Sequence, residues 1–405
     1  MRVVFLAPNY PPEMQQYTRG LAEVGADVLG VGDAPAGGLP GQLKRHLADY
    51  LQVPRILDED DVVARVSAWL RGRPVDRVLA NWEVAVITAA RLRERLGVPG
   101  MSVDTVRGFR DKQLMKERVA AAGLRVPRSE RVRTITEARA AAERIGYPLI
   151  LKPIAGAGSA DTYKVESAKE LERVLASMLH VGEASCEEFI DGEEYTFDTV
   201  CIAGKAVFTN VVQYLPKALE ARSNEWISPI NITVRDLAQD KLAGGIELGH
   251  RVLAALGMGD GFTHMEWFRK PDGEAVFGEI ACRPGGACLV DLMNYTCDID
   301  LFREWARVVC RGAFEAPTAR KYNVATIFKR AIGHGRIAAI TGLHEFIRHY
   351  GPYLCEQRLL PLGAQRRNWK HTLLSDGYLI VRHPDWDTAC HIAGKVTTDI
   401  TMYAQ

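Results

Sequence analysis

No apolar run in this sequence approaches the roughly 20 residues that a membrane-spanning helix needs. A charge bias is missing too. Lys and Arg number 51 against 50 Asp and Glu, a net charge of +1, which points away from nucleic acid and from anionic membrane surfaces. The eight cysteines are scattered with no Cys-x-x-Cys pair, so reduced thiols and a cytoplasmic setting are expected. The apolar opening at residues 3–7 is too short for an export signal and ends at Pro8, so it reads as a first strand followed by a loop. Neither a Gly-x-Ser-x-Gly nucleophile elbow nor a His-Glu-x-x-His zinc motif occurs, and there is no internal repeat.

What is present is an ordinary globular composition, 47% hydrophobic and 25% charged, in a chain of 405 residues that calls for two or three lobes. Residues 1–105 alternate strand-like runs (2–7, 27–31, 77–80) with helix-like ones (18–24, 58–71, 85–96), the pattern of a parallel sheet covered by helices. Ligands of such sheets lie beyond the carboxyl ends of the strands, where Tyr10 and Trp82 follow two of them. Residues 106–315 change texture to an α+β lobe, with helices expected at 111–122, 135–145, 167–179 and 240–256. Residues 210–235 look loop-like in their second half, and residues 316–405 are expected to form a smaller closing subdomain.

A hairpin at residues 262–283 carries the most chemical information. Two strand-like runs flank Asp272-Gly273, the preferred centre of a two-residue turn. That register sets Glu266 opposite Glu279, Phe268 opposite Phe277 and His264 opposite Ala281. Opposed side chains on one face lie about 4.5–5.5 Å apart, so two carboxylates there need a shared proton or a cation between them. The other reading of the same residues is an edge hairpin whose glutamates face solvent.

Two further segments suit a nucleotide. Lys152 closes an apolar strand and precedes a loop of small residues containing Gly156, Gly158 and Ser159. The loop is neither a P-loop nor a dinucleotide fingerprint, yet its backbone N–H groups can approach phosphate oxygens, as a plain surface turn also would permit. A buried lysine at 152 needs an anion. Residues 186–195 form a strand, turn and strand with five carboxylates. There Glu187 suits a base amine and Glu194 a ribose, although a solvated acidic turn has the same pattern.

In this order, Asp111-Lys112-x-x-x-Lys116, the strand ending in Lys152, the Gly156–Ser159 loop, residues 187–194 and Glu266 with Glu279-x-x-x-Arg283 resemble the ATP-grasp superfamily. Thr263-His264-x-Glu266 is most similar to its L-amino acid ligase and carnosine synthase branch. The resemblance implies an α/β fold with an N-terminal parallel-sheet domain, an ATP-grasp core and a small C-terminal subdomain. It implies an ADP-forming ligase that joins small-molecule carboxylates to amines through an acyl phosphate, with ATP and Mg²⁺ (or Mn²⁺) as cofactors. A homodimer is left open. By the same likeness Lys112 and Lys152 meet the ATP phosphates, the Gly156–Ser159 loop covers them, and Glu187, Glu188, Phe189 and Ile190 hold adenine. Glu194 takes the ribose, Phe277 packs under the base, Glu266 and Glu279 bind the metal, and Arg283 grips the carboxylate.

One departure from the family pattern concerns the second metal. Ala281 stands where many members have Asn, and His264 or a water is the expected replacement, with a looser second metal as the alternative. Substrate recognition is assigned to residues 9–13, 82–83 and 214–230 and to Arg330, with Tyr10, Trp82 and Trp226 as rings of an acceptor pocket or as ordinary packing. A biotin-carboxylase-like or purine-synthesis-type enzyme, or a non-catalytic nucleotide-binding subunit, remain as rival readings.

Overall fold

A computed structural model describes residues 1–154, 161–372 and 374–405. The Gly156–Ser159 loop therefore lies outside the described residues. The chain opens with a four-stranded parallel sheet in the order Asp49–Gln52, Asp27–Gly32, Arg2–Leu6, Arg77–Leu79. Its central strand is apolar on both faces, with Val3 through Leu6 all buried, because helices cover the sheet on both sides. Helix Glu59–Trp69 starts where the Asp58 side chain accepts from the Asp61 N–H, and helix Val86–Leu96 stops at Gly97 in the left-handed region.

A second, antiparallel sheet has the order Ser129–Val132, Ala184–Glu188, Leu149–Pro153, Tyr163–Val165. Helices Ile135–Ile145 and Ala168–Ser177 enclose an apolar core on one of its faces. Lys152 and Glu187 sit on adjacent strands of this sheet. The register Lys152↔Ser185 and Ile150↔Glu187 brings their side chains together diagonally.

The largest sheet is built around Gly261–Arg269, which runs antiparallel to both Glu193–Ile202 and Ala275–Ala281. It continues through Val212–Leu215 and Ile230–Thr233 to Asn323–Phe328, Gly377–His383 and Leu354–Leu359, so strands of the C-terminal stretch extend the same sheet. Residues 210–235, expected to be loop-like in their second half, form two paired strands with helix Ala218–Ser223 between them; the second half is irregular over 224–229 but ends in strand Ile230–Thr233. Pro216 and Pro229 flank these short elements and mask their period in the sequence.

The hairpin reaches its expected pairing by an unexpected route. Lys270 N–H donates to Glu274 O at 2.9 Å and Gly273 N–H to Lys270 O at 2.9 Å, closing a three-residue loop with Gly273 at φ +88. This loop displaces the register by one residue, pairing Phe268 with Val276 and Trp267 with Phe277. A bulge at Gly278 then displaces it back, and Glu266 faces Glu279 while His264 faces Ala281. The expected Phe268–Phe277 pairing is thus corrected. Phe277 is fully buried in the core with Trp267, and Phe268 is the ring that turns toward the cleft.

Candidate active site

Two clefts meet at the Glu266–Glu279 pair. The first lies between the second sheet and the large sheet, and its walls include Lys112, Lys152, Glu187, Glu188, Phe189, Ile190, Glu194 and Phe268. The second is walled by His264, Arg283, Tyr214, Arg222, Phe328 and Arg330. Glu266 and Glu279 belong to both.

The first cleft concentrates lysines around buried acids. Lys152 Nζ is 3.0 Å from Glu187 Oε2, Lys116 Nζ pairs with Glu187 Oε1, and Lys112 Nζ is 3.1 Å from Glu279 Oε2. Glu187 is only 4% exposed. Burial alone would raise its carboxyl, but Lys116 and Lys152 outweigh that and hold it well below the usual carboxylate range. Burial likewise works against Lys152, yet Glu187 and Glu279 carry it above the usual lysine range. Lys116 goes the other way, down to about 8, because burial exceeds what its share of Glu187 returns. Glu187 thus holds both Lys116 and Lys152, and Lys152 also reaches Glu279 at 4.0 Å, so buried acids fix the lysine side chains at the wall of this cleft.

Glu194 is buried and accepts from the Ala218 N–H at 2.7 Å. Burial and then the charge of Glu266 push its carboxyl upward. Glu188 lines the cleft while its carboxylate is tethered to Arg125 Nη2 at 2.8 Å, which leaves the backbone of this hinge as its natural contact to a ligand.

Among the described residues, no three His, Cys, Asp or Glu side chains are gathered to hold a metal ion on their own. The pair Glu266 and Glu279 still fits a hard divalent cation of the Mg²⁺ kind, which completes its shell with water and phosphate oxygens rather than with a protein cage. His264 is opposite Ala281 as the register requires, with Nδ1 at 2.6 Å from Asp198 Oδ1 and Nε2 at 3.7 Å from Glu266 Oε1. Burial lowers its pKa, but the hydrogen bonds to Asp198 and Glu266 prevail and lift it to about 9. Asp198 is a residue that sequence reasoning missed. The signal was a single carboxylate within the buried stretch 195–201 of the strand Glu193–Ile202.

Arg283 is anchored from the N-terminal part of the chain. Its Nε pairs with Glu83, which also holds Arg110 Nη1 at 2.5 Å. Burial opposes both partners' charges, and the ion pair overcomes it, lowering Glu83 and raising Arg283. Of the four residues expected to touch substrate, Arg330 lines the second cleft. Trp226 is 82% exposed on a separate groove, and Tyr10 is an exposed ring set edge-on to Trp82 at 5.2 Å, outside both clefts. Tyr214 and Arg222, from the segment 214–230 assigned to substrate recognition, line the second cleft, whereas Lys116 was given no role of its own although it lies one helical turn from Lys112.

The comparisons agree with this architecture. The ATP-grasp N-terminal domain model matches residues 22–100 and the ATP-grasp domain model residues 145–291. The chain belongs to the ATP-grasp superfamily. It is 26% identical over 270 residues to the L-arginine-specific L-amino acid ligase of Bacillus subtilis, covering 64% of each chain. To the alanine–anticapsin ligase of the same organism it is 26% identical over 276 residues, covering 63% of this chain and 58% of that one. The match thus spans about three fifths of these relatives' length. The crystal structure of an L-amino acid ligase from Bacillus licheniformis superposes with TM-score 0.80 at 19% identity, covering 100% of this chain and 98% of that one. An N5-carboxyaminoimidazole ribonucleotide synthetase from Thermotoga maritima gives 0.73 at 18%, covering 100% and 99%. At these identities the two structures speak for the fold. Among the described residues no helix is long and apolar enough to cross a membrane.

Proposed function

We propose that this chain is an ATP-dependent carboxylate–amine ligase that forms an amide through an acyl phosphate and releases ADP and phosphate. The observation that carries the reading is the pair of clefts sharing one wall at Glu266 and Glu279. A phosphoryl group in the first cleft and a carboxylate in the second would then meet at those two side chains, as in-line transfer requires.

In this reading Lys112 and Lys152 face the phosphates, Glu187–Ile190 the base and Glu194 the ribose. Glu266 and Glu279 hold Mg²⁺, which when bound spreads the charge that develops on the phosphoryl oxygens. The substrate carboxylate oxygen forms a bond to the γ-phosphorus as the bond to ADP breaks. The amine then attacks the acyl carbon, loses a proton and expels phosphate. Arg283, fixed by Glu83, faces the oxygen that gains charge in that second step. His264, held by Asp198, is placed beside Glu266 and orients it, with direct metal ligation as its alternative role. The protein acts in the cytoplasm on small molecules.

A screen of ADP release over acids and amines, taken pairwise with Mg²⁺, tests the proposal. ADP and phosphate formed when both an acid and an amine are present support it. AMP and pyrophosphate, or ADP release that needs bicarbonate instead of an amine, contradict it.

A further inference from the structure

The second cleft carries positive charge that the reaction outlined above does not use. Arg222 projects from helix Ala218–Ser223, and Arg330 follows strand Asn323–Phe328; both line the cleft. Neither guanidinium forms an ion pair among the described residues. Arg222 donates to the carbonyls of Trp369 (3.2 Å), Lys370 (2.7 Å) and Thr372 (3.4 Å). Arg330 Nη1 donates to the carbonyls of Ala221 (2.9 Å) and Asn224 (2.7 Å), and its plane lies over the Trp369 ring at 4.6 Å. The carboxylates whose charge reaches Arg330 are Glu225 and Asp376, and both are engaged by Arg366.

Two part-buried guanidiniums held by neutral carbonyls and a ring are fixed in place but not neutralised. Burial lowers the pKa of both, and Arg222 further lowers that of Arg330, to about 10. Such an arrangement is costly without a counter-anion, and guanidinium is suited to a planar carboxylate. Arg283, in contrast, already has Glu83. The metal carboxylates on the same cleft make it inhospitable to an anion except beside these arginines or a bound cation.

We propose that Arg222 and Arg330 form a second anion subsite, which receives a carboxylate carried by the substrate in addition to the carboxylate that is activated. This rests on the ligase reading and narrows it to substrates of a particular charge. The extra carboxylate has two sources: a dicarboxylic acyl donor, or the free α-carboxylate of an amino-acid acceptor.

The test pairs each anionic probe with its neutral counterpart. Donors are L-glutamate against L-glutamine and succinate against butyrate; acceptors are glycine against glycinamide. The kcat and KM of ADP release are measured for the wild type, Arg222→Gln, Arg222→Lys and Arg330→Gln. The expected result is that wild type prefers the anionic member of one panel by about tenfold or more in kcat/KM. Arg222→Gln and Arg330→Gln raise its KM by about tenfold, several times more than they raise that of the neutral member, and Arg222→Lys restores part of the loss. The panel that responds names the source. Equal use of both members in both panels overturns the subsite, as does a preference that survives in both Gln variants. Calorimetric titration of the same probes without ATP scores the subsite on binding alone. Charge-selective binding lost in the Gln variants, with no ADP released in any pair, would refute the ligase reading and keep the subsite.

Discussion

Glu266 faces Glu279 across the strands Gly261–Arg269 and Ala275–Ala281 because two one-residue displacements cancel, one at the Pro271–Gly273 loop and one at Gly278. The pairing that brings two carboxylates together is therefore built by a bulge and not by a plain ladder. A Cβ on Gly278 would stand 2.8 Å from Glu266 O, so the bulge needs a glycine.

Gly278→Ala and Gly273→Ala should separate stability from site geometry. Gly273 sits at φ +88 in open space, and its replacement is expected to cost about 1–2 kcal/mol while ATP affinity stays within about twofold. Gly278→Ala is expected to cost about 1–3 kcal/mol and also to weaken Mg²⁺-dependent ATP binding, because the backbone of Glu266 must move. Chemical denaturation and calorimetry read both quantities. Equal ATP affinity in the two variants would contradict the role given to the bulge.

Glu83→Gln tests the contact that ties Arg283 to the N-terminal sheet domain. With its anionic partner gone, Arg283 loses its fixed direction, and kcat should fall about 10- to 100-fold with the KM for ATP little changed. A rise in ATP KM at constant kcat would place Glu83 in nucleotide binding instead.

Asp291 gives a pH signature away from the metal pair. Burial, then the charges of Glu356 and Glu13, raise its carboxyl from 3.8 to about 7. A raised folded-state value adds stability that is complete below about pH 4 and is lost as pH rises through about 7. Asp291→Asn should therefore be relatively more stable at about pH 8 than at about pH 4, when its melting temperature is compared with wild type at each pH. A difference between the two proteins that does not change with pH would contradict the shift.

Much of this was legible in the sequence because it depends on local pattern. Helices Ile135–Ile145 and Asp240–Leu256 fall where apolar spacing and their flanking residues set them, while the Glu266–Glu279 opposition expected from a two-residue turn holds only because the bulge at Gly278 cancels the displacement of the longer loop. Phe277 was misplaced because the three-residue loop at 271–273 shifts its part of the strand by one residue, before the bulge at Gly278 restores the register, and this turns a cleft ring into a core ring. Lys116 with Glu187, His264 with Asp198 and Arg222 beside Arg330 join residues separated by 71, 66 and 108 positions, and no local period encodes such meetings. Trp226 illustrates the converse. Its aromatic character suggested a pocket, while its position leaves the ring on the surface.

The most direct test of the central claim is oxygen transfer. A productive acid labelled with ¹⁸O in its carboxylate is turned over with ATP, Mg²⁺ and its amine, and the phosphate is analysed by mass spectrometry. The shared wall at Glu266 and Glu279 predicts one labelled oxygen per phosphate released with ADP, and loss of about 100-fold or more of this activity in Glu279→Gln. Unlabelled phosphate, or label recovered in AMP, would contradict it.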